Sequence, residues 1–256
     1  MCTLEKCGSI FFLTLTGAGD KDDEEHLLGL PVLSSLLSSL ADVASQSTRG
    51  SVLITTARGK FFSNGFDLAW AQSAGPSSVR HRLGQMVVAF KPVVAALLSL
   101  PMPTIAALPG HAAAAGLLLA LSHDYVTMRG DRGVLYMNEV DLGLPLPDYF
   151  AAAFRAKIGS NSARRNILLR GMKVRGEEAA TMGIVESAHE SAEAAVEAAV
   201  QMAGKLRERK WKGDVYAEIR MSLYPELCAV LGLAKVVPTA KLSRKGLKVK
   251  SVGLSL

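Results

Sequence analysis

Glu139 is the carboxylate whose neighbours mark it out for chemistry. It lies in LYMNEVDLGLPLP, among apolar side chains, with Asp141 two positions on. Apolar surroundings desolvate a carboxylate and raise its pKa, which suits it to taking up and returning a proton near neutrality. A glutamate in a surface loop has the same appearance in sequence. FFSNGFDL, residues 61–68, has one central glycine, Gly65, which admits a positive φ or a close backbone approach. GHAAAAGLLL, residues 110–119, holds no acid, base or nucleophile beyond His111. Its chemistry is that of the backbone. The first amides of a helix lack intrahelical partners and sit at the positive end of its dipole, and small side chains leave them open to a substrate oxygen. A tight helix-packing face would use the same residues.

Other groups carry less. A lone histidine in an apolar run, as His111 is, reads as a satisfied structural residue, and nothing at i+4 pairs with it as a metal ligand. Ser122, His123 and Asp124 hold the letters of a catalytic triad, but chain neighbours point in different directions. Cys2, Cys7 and Cys228 have neither zinc-ligand spacing nor the density of a disulfide framework, so a reducing intracellular setting and no metal site are expected.

The elements that must position these groups alternate. Ile10 to Thr16 and Ser51 to Thr56 read as buried strands. So do Thr104 to Leu108, Asp124 to Met128 and Gly133 to Tyr136, with a short strand at Ile184 to Glu186. PVLSSLLSSLADVASQ and Arg80 to Leu100 have helical spacing, the second stopped by Pro101 and Pro103. Beyond Pro147 the chain is mostly helical, with a long helix over about 192–210. Strands alternating with helices predict an α/β fold. The expected organisation is a core over residues 1–190, a helical region over 191–237 and a flexible basic tail over 238–256.

The chain has 256 residues, 49% of them hydrophobic, enough for one large domain. The net charge of +6 gathers late, in LRERKWK and AKLSRKGLKVK, opposite an early acidic run, DKDDEE. Such a balance suits nucleic acid, an anionic membrane or a phosphate-bearing ligand. The basic stretches lack the aromatic interleaving of single-strand binders, so no nucleic acid is expected. MCTLEKCGS has no signal-peptide hydrophobic region, and no apolar run is judged to reach the roughly 18–20 residues of a membrane span.

FFSNGFDL, PTIAALPGHAAAAGLLLALSHDY and YMNEVDLGLPLP, in that order, resemble the crotonase family, also called the enoyl-CoA hydratase/isomerase family. IGSNSARRNILLRGMKVRGEEAATMGIVE resembles the helical segment that follows, and the likeness covers roughly residues 8–210. Within the family it is to the plant isomerases of the peroxisome, through KFFSNGFDLAWAQSAG and RGVLYMNEVDLGLPLPDYF. The resemblance implies a spiral of stacked ββα units, a helical C-terminal trimerisation region, a homotrimer or hexamer, a CoA thioester as substrate and no separate cofactor. It implies an oxyanion hole from the backbone N–H groups of Phe66 and Ala115. Ser63, Asn64, Gly65, Phe66, Asp67 and Leu68 would line the pantetheine and thioester end, Gly116 would also meet the substrate, and the acyl tail would lie against apolar residues such as Leu118 and Phe150. Arg58, Lys60 or a lysine of the C-terminal helices would meet the CoA phosphates.

Two departures are visible. Ala115 stands where glycine is common, and Pro109 where asparagine is common. Hydratases carry an acid at the place of Leu118 and a second at the place of Glu139. Here only the second is filled, the pattern of the isomerases, so the implied reaction moves a double bond from C3–C4 to C2–C3 of an acyl-CoA. A hydratase recruiting Asp141 or Asp148, a thioester hydrolase, and a non-catalytic acyl-CoA-binding subunit stay open as alternatives. The implied location is the peroxisome, with the cytoplasm as alternative. Leu254-Ser255-Leu256 fits a Ser-Lys-Leu-type signal poorly, and Ala240-Lys241-Leu242 fits but is internal.

Overall fold

The computed structural model describes residues 1–16 and 25–233. Most of the acidic run, the basic tail from residue 238 and both candidate targeting tripeptides lie outside the described residues.

The apolar runs form a six-stranded sheet. β1 (Cys2–Cys7) and β2 (Ile10–Leu15) make an antiparallel hairpin, and β3 (Val52–Ala57) pairs with β2 in parallel. A second sheet starts with β4 (Phe61–Ser63). The helices α1 (Leu30–Ser45), α2 (Leu68–Gln72) and α3 (Pro76–Ser99) complete this part of the chain. Then β5 (Thr104–Leu108) joins the first sheet, β6 (His111–Ala113) the second, and α4 (Ala115–Leu121) follows. The pattern repeats with β7 (Tyr125–Arg129), β8 (Val134–Tyr136), α5 (Glu139–Leu142) and α6 (Asp148–Lys157). Each turn thus gives one strand to each sheet and then a helix, the expected spiral of ββα units. After α7 (Asn161–Leu169), β9 (Val174–Arg175), α8 (Gly176–Thr181) and β10 (Ser187–His189) complete the sheets, ordered β1-β2-β3-β5-β7-β10 and β4-β6-β8-β9.

Every residue of β3 and β5 is buried because both faces of the large sheet are covered. Ile10, Val52, Ile54, Ile105 and Ala107 face Ala199 and Ala203 of α9 (Ala192–Glu208), whose alanines let it lie close. The other face joins the main core, including Met86, Phe90, Val93, Val94, Leu97 and Leu98, one stripe of α3 at helical spacing. α10 (Gly213–Leu223) packs on α3, and α11 (Pro225–Leu231) on α3 and α6.

Several sequence expectations shift. α3 begins at Pro76, four residues early, because proline is well tolerated in a first turn. It is also long and apolar enough to cross a membrane by length and composition, contrary to the sequence reading. Its buried stripe makes it a core helix here. The strand expected at Ile184 to Glu186 forms three residues later as β10, with the Glu186 amide bonded to the Val126 carbonyl at its edge. β1, β4, β6 and β9 were not expected as strands.

A buried ion pair ties the C-terminal helices to this core. Arg220 of α10 donates through Nε and Nη2 to the two oxygens of Asp124, each at 2.6 Å. It also donates to the carbonyls of Leu97, Leu98, Leu100 and Met102, where α3 ends and β5 approaches. Asp124 in turn accepts from the Thr104 amide at 2.9 Å. The neighbouring His123 meets Thr55 Oγ1 at 2.7 Å, and Ser122 donates to the Leu118 carbonyl at 2.7 Å. Ser122, His123 and Asp124 therefore diverge and form no triad.

Candidate active site

The backbone brings two of the sequence motifs together. Gly65 has φ +89°, which glycine adopts readily. A methyl group added to it would lie 3.0 Å from Ala114 Cβ, 3.2 Å from the Ala113 oxygen and 3.4 Å from the Ala115 amide nitrogen. Gly116 packs as tightly on Ser63: a Cβ there would meet the Ser63 carbonyl and sit 2.8 Å from Ser63 Cβ. These contacts set the loop after β4 against the start of α4, so the amides of Phe66 and Ala115 open from adjoining backbone. Among the described residues neither amide meets a backbone acceptor. Ala115 is the first residue of α4, where no intrahelical acceptor exists.

The turn into α4 is strained. Ala114 adopts φ 49° and ψ −123°, a region that residues with a Cβ rarely occupy, at a cost of order 1–3 kcal/mol. Its amide is held by the Tyr136 carbonyl at 3.0 Å, and its carbonyl accepts from Leu118 at 3.1 Å.

The loop carrying Phe66 is fixed from the other side. The Leu28 amide donates to the Gly65 carbonyl at 2.7 Å and the Asn64 amide to the Glu25 carbonyl at 2.8 Å. Ser63 is fully buried; its hydroxyl donates to the His26 carbonyl at 2.8 Å and receives the Gly65 amide at 3.3 Å. Asp67 caps α2 by accepting from Trp70 at 2.8 Å. The Phe66 ring meets Phe90 edge-on at 5.7 Å and Phe150 at 6.2 Å, with Tyr149 completing an aromatic wall.

Glu139 opens α5, three residues beyond the end of β8. Its Oε2 is buried and has no hydrogen-bond partner among the described residues. Burial raises its pKa above the ordinary 4.5, against smaller opposing contributions from its own amide and that of Asn138. A carboxylate destabilised by burial, with one oxygen free of partners, is a ready proton acceptor.

The proposed site residues thus divide. Gly65, Phe66 and Ala115 adjoin through backbone, and Glu139 follows the strand that holds Ala114. Ser63, Gly116 and Leu118 are buried packing residues; Leu118 has no exposed surface. A groove of about 480 Å³ runs beside the loop, lined by Leu15, Glu25, His26, Leu27 and Asp67, with Leu68 exposed nearby. Lys60 lies elsewhere: with Gly110, His111, Arg129 and Arg132 it lines a separate cleft where β4 and β6 begin, the opposite end of those strands. Among the described residues no group of three or more His, Cys, Asp or Glu side chains gathers as a metal site.

Two sheets stacked through a ββα spiral, with the loop after β4 packed on the start of α4, define a crotonase-type fold. Solved structures share it: a probable enoyl-CoA hydratase from Mycobacterium tuberculosis superposes with a TM-score of 0.78 at 20% identity, covering 90% of this chain and 91% of that one. The chain belongs to the enoyl-CoA hydratase/isomerase family, whose model matches residues 28–223. It is 64% identical to the peroxisomal enoyl-CoA delta isomerase 2 of Arabidopsis thaliana over 94% of this chain and all of that one. To enoyl-CoA delta isomerase 3 of the same plant it is 63% identical, over 91% of this chain and 96% of that one.

Proposed function

We propose that the protein is a Δ3,Δ2-enoyl-CoA isomerase acting through Glu139 and the amides of Phe66 and Ala115. The thioester oxygen accepts from both amides. Glu139 takes the C2 proton, the electrons of that C–H bond move toward the carbonyl, and an enolate conjugated with the C3–C4 double bond forms. The two amides stabilise the negative oxygen, each donor typically contributing about 10²–10³ in rate. The protonated Glu139 returns the proton at C4, and the double bond is left at C2–C3. One carboxylate performs both transfers because the proton leaves and returns on one face of the dienolate. The reaction is a net proton shift, so the mechanism uses no cofactor beyond the CoA of the substrate.

The observation that carries this reading is the unpaired, buried Oε2 of Glu139 in a chain whose other family acid position is Leu118. Hydration needs a group to activate water as well as one to move the proton, and a sealed leucine supplies none. The high identity to the plant delta isomerases supports the same assignment. Steady-state assay of 3-hexenoyl-CoA isomerisation and 2-hexenoyl-CoA hydration by the same preparation tests it: isomerase activity should exceed hydratase activity by about 10² or more, the span expected of one missing acid/base group.

The proposed working form is a homotrimer or a pair of trimers. The exposed apolar side chains of Val215, Ile219 and Leu223 on α10 support it, since monomers rarely leave such a row in water. The peroxisome is the proposed location, supported by the name of the Arabidopsis peroxisomal enoyl-CoA delta isomerase 2.

A further inference from the structure

We propose that Tyr136 is a positioning residue whose phenol and carbonyl together hold the two oxyanion amides in register with Glu139. The inference rests on the function proposed above, and it concerns side chains to which that mechanism gives no chemical step.

Tyr136 ends β8, and three pieces of the site meet on it. Its carbonyl accepts from Ala114, the residue before the Ala115 amide, at 3.0 Å. Its hydroxyl donates to Asn64 Oδ1 at 2.8 Å, two residues before Phe66. Glu139 follows it by three residues along the chain. Among the described residues the Tyr136–Asn64 bond is the side-chain hydrogen bond that joins the loop of Ser63 to Leu68 with β8 and α5.

The bond has a defined direction. Burial raises the Tyr136 pKa above its usual 10.0, with the Glu25 carboxylate adding to the effect, so the phenol stays protonated and donates. The Asn64 amide is thereby oriented with its oxygen toward β8. On the other side, the Asn64 amide nitrogen of the backbone is anchored on Glu25 at 2.8 Å. Lys173 Nζ stands over the Tyr136 ring, 5.5 Å from its centre.

Without the phenol, the loop keeps its attachments to Glu25 and Leu28 but loses its link to the strand leading to Glu139. The two amides would then drift relative to the base, and misplacement of that kind reduces the rate of reaction more than it reduces binding.

The test measures kcat and KM on 3-hexenoyl-CoA for Tyr136→Phe, Asn64→Ala and the double variant, with Glu139→Gln as reference. Thermal unfolding and the affinity for saturated hexanoyl-CoA are measured alongside. We expect kcat to fall about 10-fold or more in each single variant, with KM and hexanoyl-CoA affinity nearly unchanged. The double variant should lose no more than the worse single one, since both remove one bond. Wild-type kcat in either single variant overturns the inference, as do losses that multiply, a rise in KM alone, or loss of kcat that merely tracks loss of folded protein. If Glu139→Gln is inactive while Tyr136→Phe matches wild type, the positioning role alone fails. A wild-type protein without isomerase activity overturns the functional reading and this inference together.

Discussion

Glu139 combines two things that rarely coexist in a folded protein, a buried oxygen and no partner for it. The energetic consequence has a sign. Because burial raises its pKa in the folded state, ionising it opposes folding, and the stability present at low pH declines as pH rises from the ordinary 4.5 toward the folded value. Glu139→Gln should therefore leave the protein as stable as wild type, or more stable, at neutral pH, while lowering kcat by about 10²–10⁴. Thermal unfolding and initial rates on one preparation check both. The acidic limb of the kcat/KM profile, which reports the free enzyme, should lie above 4.5, since the base acts only when ionised. A limb at or below 4.5 would mean that another group takes the proton. Gly65 makes a second prediction at this scale. With φ +89° and only 3.0 Å to Ala114 Cβ, Gly65→Ala forces the loop away from Ala115 and should lower kcat about 10–100-fold.

At the scale of elements, legibility in the sequence followed the length of apolar runs. β2, β3 and β5 were visible because both faces of the large sheet are buried and every position is apolar or small. β4 and β6 were not, since three-residue strands among glycine, alanine and polar residues give no periodicity. β1 was missed for the opposite reason: it is an exposed strand with Glu5 and Lys6 on it. Of the site, Gly65 and Glu139 could be singled out from their local surroundings, and Phe66 and Ala115 from the family resemblance. Tyr136, His26 and Ser63 could not be given their roles, because their partners lie 72, 32 and 37 residues away. Arg220 is another such case. It draws the end of α3, the start of β5 and Asp124 onto α10. Burial alone would raise the Asp124 pKa, and the Arg220 guanidinium outweighs it and lowers the value below the usual 3.8. The ion pair's contribution is thus present above pH 3.8 and lost as pH falls through that lowered value. Arg220→Met leaves a buried carboxylate alone and should destabilise the fold by about 3–5 kcal/mol, a drop of roughly 10 °C in Tm.

For the whole molecule, the spiral explains why a chemically bare stretch suffices at the site. β4, β6 and β8 run parallel, so each ββα turn delivers a strand end of the small sheet to the same edge, where the proposed mechanism takes its amides from the turns after β4 and β6 and its acid from the segment after β8. Val215, Ile219 and Leu223 form an exposed apolar row on α10, which the proposed trimer would cover with another copy of the chain. Ile219→Asp should shift the sedimentation profile toward monomer if α10 lies in that interface. An unchanged profile would place the interface elsewhere.

The most direct measurement is a paired assay of wild type and Glu139→Gln with 3-hexenoyl-CoA and 2-hexenoyl-CoA. The account predicts that wild type isomerises the 3-enoyl substrate, barely hydrates the 2-enoyl one, and loses isomerase activity on substitution. Efficient hydration by wild type, or a Glu139→Gln variant as active as wild type, would contradict a single-carboxylate mechanism.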